Sequence, residues 1–383
     1  MYAAFGVSSP FWPAFFETKA LTAQQIGFIL AAGLLVRLVM GPLIGRLADV
    51  SQRLRAVLAA CAALAATVTA VFSISDTFST LLTVALLQAA TLAPMASLAD
   101  ALAVNVARPR LAGKTFEYGW LRGSASAAFV AGTLVVGQLI SRINFMPMIW
   151  MNVALLAATA GATSLLPRAH QSRSHVIRSR GFAGVDGLIR MPRFRIVILV
   201  SALVFGSHAL HDAFSVIRWS DAGIDTAMIS LLWSEAVAAE VIVFLFLGPA
   251  LVKKLGVRGA ATLAASAGVV RWSAAGVTTS AWLLSILQPL HGLTFALLHL
   301  ACMRVMAGLV PIHLSATAQT LYAFATAIVT AALTLLSGNL YAWYGGASFF
   351  AMAALCAVAL PFAWFGLSEN TESCGAPDIG TLT

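Results

Sequence analysis

Long apolar runs, separated by short polar or Gly/Pro-bearing breaks, dominate the chain. They fall at about 1–16, 24–45, 54–73, 78–105, 119–141 and 146–166, and again at 194–217, 227–251, 258–277, 280–306, 314–340 and 346–367. A spanning helix needs about 20 apolar residues. Six runs, an interruption and six more therefore predict an all-α membrane protein of twelve transmembrane helices in two pseudo-symmetric six-helix bundles. The bundles take residues 1–167 and 193–367, with a cytoplasmic linker at 168–192 and a cytoplasmic tail at 368–383. The polar interruption from Arg168 to Arg195 is rich in Arg, Ser and His, and carries an amphipathic piece near Val185–Arg190. The first run begins apolar at Met1, has no basic flank and is short for a crossing, which predicts that further residues precede it.

The halves echo each other. Gly41-Pro42 closes the second span before Arg46, Arg53 and Arg55, and Gly248-Pro249 closes the eighth before Lys253, Lys254 and Arg258. Repeated six-helix halves are a transporter architecture with its substrate site near the bilayer midplane.

Composition narrows the function. At 60% hydrophobic and 10% charged, against about 25% charged in a soluble chain, a conventional aqueous surface is excluded. The net charge of +9 then reads as topology rather than nucleic-acid binding. With both termini cytoplasmic, sixteen of the 23 basic residues fall in inner loops, while only Lys19, Arg142 and Arg218 fall outside. Cys61, Cys302, Cys356 and Cys374 show no paired or metal spacing. No Ser/His/Asp, CxxC or phosphate-loop pattern stands out, so neither an enzyme, a cofactor nor a metal site is expected.

The remaining four basic residues, Arg37, Arg122, Arg271 and Arg304, lie inside spans. They are joined there by Asp100, Asp212, Glu235, Glu240, His208, His211, His291 and His299. A charge at the bilayer centre costs about 2.5–3.5 kcal/mol on insertion scales, so this set predicts a water-accessible, charge-lined cavity. Asp100 and Arg122 sit on adjacent helices, as a structural ion pair or as substrate ligands. His208, His211 and Asp212 share the spacing of one helical face and read as cavity lining rather than zinc ligands. Gln288, His291, Phe295 and His299 form a stripe on the tenth span. Glu235 and Glu240, five apart, should occupy different faces, one of them pairing with a neighbour such as Arg271. Phe11, Trp12, Phe15 and Phe16 suit either an aromatic substrate or an interfacial belt. Gly41 and Gly45 suit helix packing.

The stretch Gly45-Arg-Leu-Ala-Asp49-Val-Ser-Gln-Arg53 resembles the loop signature of the major facilitator superfamily, with Val50 and Gln52 replacing the usual basic residue and glycine. Phe116-Glu-Tyr-Gly119-Trp-Leu-Arg122 resembles the fifth span of the lactose permease-like group of sugar and nucleoside symporters. That resemblance implies that Arg122 pairs with Asp100 and binds substrate. Pro10-Phe-Trp12, Gly33-Leu-Leu-Val-Arg37, Ala239-Glu240-Val, Val269-Val-Arg271-Trp272 and Leu298-His299-Leu-Ala-Cys-Met-Arg304 resemble the 3-phenylpropionate transporter family. Two positions depart from the lactose permease: its proton-carrying acid falls at Thr294, and its sugar-stacking tryptophan at Phe129.

Together these readings predict a monomeric, proton-coupled symporter in a bacterial-type inner membrane that imports a small organic solute such as an aromatic carboxylate by alternating access. Arg122, Asp100 and Arg37 would contact the substrate, with Trp12, Phe129, His208, His211, His291, Gln288 and His299 lining the site. Glu240 near Arg271 would carry the proton, with Glu235, Asp212 and Arg304 as further candidates, and Gly45, Asp49 and Arg53 would form the conformational loop. Protons, the substrate and the lipid bilayer are the expected partners. A symporter of a neutral sugar or nucleoside is the alternative; an efflux antiporter or a non-transporting receptor is further off.

Overall fold

The computed structural model describes residues 1–107, 118–165, 183–311 and 314–367, with side chains omitted at 103–107, 118–122, 183–184 and 316. The first half comprises α1 (Tyr2–Ser8), α2 (Trp12–Thr18), α3 (Ala23–Ser51), α4 (Leu54–Val71), α5 (Phe78–Leu92), α6 (Met95–Ala107), α7 (Tyr118–Arg142) and α8 (Met146–Leu165). A short helix, α9 (Ala183–Arg190), precedes α10 (Pro192–Gly206), α11 (Ala209–Asp221), α12 (Thr226–Ile242) and α13 (Gly248–Val277). The chain continues through α14 (Ala281–Leu287), α15 (Leu290–Gly292), α16 (Leu298–Leu309), α17 (Ser315–Tyr344) and α18 (Phe349–Gly366). No strand occurs among the described residues.

Nine helical stretches among the described residues are long and apolar enough to cross a membrane. Two of them, 52 and 50 residues long, are double crossings that turn at Gly256 and Gly345, both with positive φ. With the short first run, α1 and α2, the crossings number twelve. Their outward faces carry exposed large apolar side chains, among them Phe246, Trp282, Trp343 and Phe365 at 70–76%, as lipid contact requires.

The first crossing is held by polar side chains of its neighbours. Thr133 Oγ1 donates to Gly6 O at 2.9 Å, and Asn152 Nδ2 donates to Ala4 O at 2.6 Å and Ser8 Oγ at 2.8 Å. Small residues and interhelical hydrogen bonds drive helix association where lipid offers no hydrophobic contrast.

The two halves meet most closely at one end. There α3 begins and α17 finishes: a Cβ on Gly27 would lie 3.1 Å from Gly338 Cα, and one on Gly338 would lie 2.7 Å from Ala23 O. Ser141 Oγ donates to Asp225 Oδ1 at 2.6 Å, joining α7 to the N-cap of α12, and α2 packs on α11. At the far end of α3, Leu43, Leu47 and Val50 are exposed. The amphipathic piece expected in the linker is α9, with Leu188 buried and an exposed Asp186–Arg190 pair at 2.8 Å; residues 166–182 and 368–383 lie outside the described residues.

Two predictions follow from local geometry. Gln52 ends α3 with φ 53°, a left-handed conformation that costs a non-glycine residue about 1 kcal/mol. Gln52→Gly should raise the unfolding temperature in thermal melts. At the sealed end, Glu17 is partly desolvated and faces Asp221; burial first, and that carboxylate second, push its carboxyl from 4.5 up to about 7. A raised acid favours the close approach of Glu17 to Asp221 while protonated, so its contribution is fully present at low pH and is lost as pH rises from about 4.5 through about 7. Spin labels at Thr18 and Ala222 should separate over that interval, and Glu17→Gln should flatten the response.

Candidate functional site

The first, fourth, seventh and tenth spans are each broken. Pro10 separates α1 from α2, Pro94 separates α5 from α6, and Pro289 separates α14 from α15, since proline removes a backbone donor and clashes with the preceding turn. The seventh breaks without proline, between α10 and α11, at Ser207-His208. The tenth also contains a π turn, Leu293–Leu297, which packs on a second π turn, Val243–Leu247, of the eighth span. Gly292 permits this closeness: a Cβ there would lie 2.6 Å from Ala239 O. Irregular backbone at membrane depth is tolerated only inside protein or along a cavity, so these breaks mark the centre.

At that centre in the second half lies Arg271, 2% exposed. Its guanidinium donates to His291 Nδ1 at 3.0 Å, Gln288 Oε1 at 3.1 Å and, more distantly, His211 Nε2 at 3.5 Å. Hydrogen bonds to a charged group contribute roughly 1.5–3 kcal/mol each, so the two short ones offset an insertion cost of about 2.5–3.5 kcal/mol.

Arginine only donates, and this fixes the rings around it. His291 accepts at Nδ1, leaving Nε2–H toward Glu240 Oε2 at 3.5 Å. His211 accepts at Nε2 and donates from Nδ1 to Ser215 Oγ at 2.6 Å. His208 donates from Nδ1 to Val204 O at 3.0 Å, and its neutral ring accepts at Nε2 from Thr294 Oγ1 at 3.0 Å. Trp272 closes the cluster, its ring beside both His208 and His211 (5.1 and 5.4 Å) and its Nε1 donating to Ser207 Oγ at 2.7 Å. The structure thus assembles Arg271, His208, His211, Gln288, His291 and Glu240 from four spans.

The two glutamates both face the tenth span, at different levels. Ser285 Oγ donates to Glu235 Oε1 at 2.6 Å, while Glu240 meets His291. Residues on either side of a crossing seam both reach the partner helix, which explains why a spacing of five does not separate them. Arg271 is linked to Glu240 through His291. Asp212 departs from the face of the two histidines: they are buried at 5% and 4%, whereas Asp212 is exposed, in electrostatic range of Arg271. His299 lies a turn beyond the π turn, near Phe244 and Tyr322, and Arg304 is exposed.

In the first half, Arg37 is exposed halfway along α3. A Cβ on Gly33 or Gly41, one turn to either side, would lie 3.7 Å from Ala89 Cβ and 3.8 Å from Ala93 O of the fourth span, respectively, so Arg37 emerges on that side. Trp12 is packed among Phe15, Phe16 and Phe72, with 4.4 Å to the last. Phe129 turns its carbonyl to Gly6 and accepts from Thr133. Asp100 is half-buried on α6, and the side chain of Arg122 lies outside the described residues. Gly45, Asp49 and Arg53 mark the end of α3, the last two exposed. Sequence reasoning passed over Ser285 and Phe205, and named Trp272 only within a family motif, with no place at the site. Ser285 was within reach, since it extends the Gln288 stripe by one turn.

Twelve apolar crossings around a buried polar centre make a multi-pass integral membrane protein, and the family it matches makes it a transporter of the major facilitator type rather than an enzyme. The chain belongs to the MFS_1-like family, which matches residues 1–352. It is 31% identical over 380 residues to the probable 3-phenylpropionic acid transporter of Escherichia coli (strain K12), covering 97% of this chain and 96% of that protein. It is 23% identical to the uncharacterized transporter YwbF of Bacillus subtilis (strain 168), covering 92% and 86%. Among solved structures, an aspartate-to-alanine mutant of the nucleoside transporter NupG matches with a TM-score of 0.86 at 17% identity, covering 96% of this chain and 97% of that one. A bacterial homolog of the human lysosomal transporter Spinster, inward-facing and unoccupied, matches at 0.73 and 14%, covering 96% and 94%. These two likenesses concern the fold.

Gln288→Ala should remove one of Arg271's two short acceptors and cost about 1–3 kcal/mol, read as a lowered unfolding temperature in detergent.

Proposed function

We propose that the chain is a proton-coupled symporter that imports a small aromatic carboxylate by alternating access. The observation that carries this reading is the chain Arg271–His291–Glu240, a buried cation joined to a carboxylate through one imidazole. Its similarity across nearly the whole chain to a probable 3-phenylpropionic acid transporter supports the substrate class.

In this reading residues 1–167 and 193–367 rock as two bundles in a bacterial-type inner membrane, as a monomer. The bias of sixteen inner to three outer basic residues puts both termini in the cytoplasm and the sealed end outside, so the site faces inward. Arg122, with Asp100 as its partner, and Arg37 of the first half contact the substrate, whose carboxylate suits the guanidinium fork. The proton group lies wholly in the second half: Glu240 on α12, Arg271 on α13 and His291 on α15. Rigid rocking does not separate these three. Their rearrangement belongs to the π turns and to the Pro289 break, which allow His291 to leave Glu240. Glu240 then loses its link to the arginine and takes the proton.

In vesicles, Glu240→Gln should abolish accumulation of 3-phenylpropionate driven by a pH gradient while exchange between equal pools persists. Accumulation by that variant would remove Glu240 from the proton role. Arg122→Lys should weaken calorimetric binding about tenfold or more, and unchanged binding would remove Arg122 from the substrate site. Competition by uridine or glucose, without competition by phenylpropionate, would instead establish the neutral-solute reading.

A further inference from the structure

The proton group leaves two aromatic rings of the same region without a role. Phe295 is 36% exposed although Thr294, Ala296, Leu297 and Leu298 around it are fully buried. Its ring lies parallel to the imidazole of His291, with centroids 5.6 Å apart and an interplanar angle of 11°. It also meets the half-buried ring of Phe205, on α10, at 5.2 Å and 48°, and the edge of His208 at 6.4 Å. Phe205 stands just before the break of the seventh span, and Phe295 sits inside the π turn of the tenth.

An exposed aromatic ring on a membrane protein ordinarily faces lipid. Here Phe295 adjoins His291 and His208, and through them Arg271, Thr294 and Glu240. Such groups turn to a bundle interior or a water-filled cavity, so the open face of Phe295 turns there as well. The π turn adds a residue without rotating Phe295 off the His291 face, as the parallel rings show.

We infer that Phe205 and Phe295 form the subsite that holds the ring of an aryl carboxylate. This inference rests on the aryl carboxylate reading of the substrate. Two rings at an angle of 48° offer one surface for offset stacking and one for edge contact, the arrangements aromatic pairs prefer at centroid distances of about 4.5–7 Å. The polar end of a ligand seated there is left free for the cationic groups of the site. A straight-chain acid makes the carboxylate contacts and forfeits the ring contacts. The pair therefore sets aryl-over-alkyl selectivity rather than affinity for carboxylates in general.

The test is calorimetric binding of 3-phenylpropionate and of hexanoate to the purified full chain and to Phe295→Leu and Phe205→Leu, which keep an apolar side chain at each position. Each variant should weaken phenylpropionate binding about five- to tenfold and leave hexanoate unchanged. Equal weakening of both acids, or weakening of neither, would overturn the subsite while leaving the substrate reading intact. If the wild-type chain binds no aryl acid, the substrate reading fails and the subsite with it. Phe295→Trp gives a readout independent of leucine's effect on folding: its added indole emission should change with phenylpropionate and not with hexanoate, and a response to both or to neither counts against the subsite.

Discussion

A guanidinium that cannot reach water organises the second half of this transporter. Arg271 must find acceptors within the protein, and it draws them from the seventh and tenth spans. Because arginine has no acceptor of its own, each imidazole that touches it presents a lone pair and turns its proton outward. That single constraint sets the tautomers of His211 and His291 and aims one N–H at Glu240. Trp272, the next residue, packs edge-on to His208 and at a tilt to His211, and donates to Ser207 at the break of the seventh span. Polar satisfaction and apolar packing therefore originate from adjacent positions on α13.

The breaks in the first, fourth, seventh and tenth spans give this network room. Continuous helices would present only side chains to the centre. The interrupted ones also bring a change of direction, so His208 and His211 can face Trp272 while Asp212 is left exposed. The paired π turns of the eighth and tenth spans add a second irregularity beside Glu240 and His291. Single π turns within α-helices frequently accompany functional sites.

Much of this was legible in the sequence. The crossings follow from hydropathy alone; Pro10, Pro94 and Pro289 stand at three of the four breaks, but Pro42 and Pro361 lie within continuous helices, so proline by itself did not mark them. Arg271, His208, His211, His291 and Glu240 come together as the sequence led one to expect, with Gln288 and His291 at the spacing that lets both meet Arg271. Glu235, Asp212, His299 and Arg304 lie apart from them. The break at Ser207-His208 carries no proline and was silent. The π turns lie in uniformly apolar segments, Val243–Leu247 and Leu293–Leu297, where no periodic signal distinguishes one register from another. The partner of Glu235 depended on a crossing angle, which residue spacing does not encode. Phe295 was legible as a member of the Gln288–His299 stripe, whereas Phe205 went unremarked because phenylalanine in a membrane helix has a bland default explanation.

The seal between the halves has a consequence for energetics. It is formed by glycine backbones at Gly27 and Gly338 and by a hydroxyl–carboxylate bond between Ser141 and Asp225. Glycine contacts bury little side chain, and one such bond contributes only about 1.5–3 kcal/mol. Each such contact is weak by itself, since about 1.4 kcal/mol corresponds to only a factor of ten in an equilibrium. On the alternating-access proposal, a solute that binds one arrangement only modestly better than the other would be enough to part that seam.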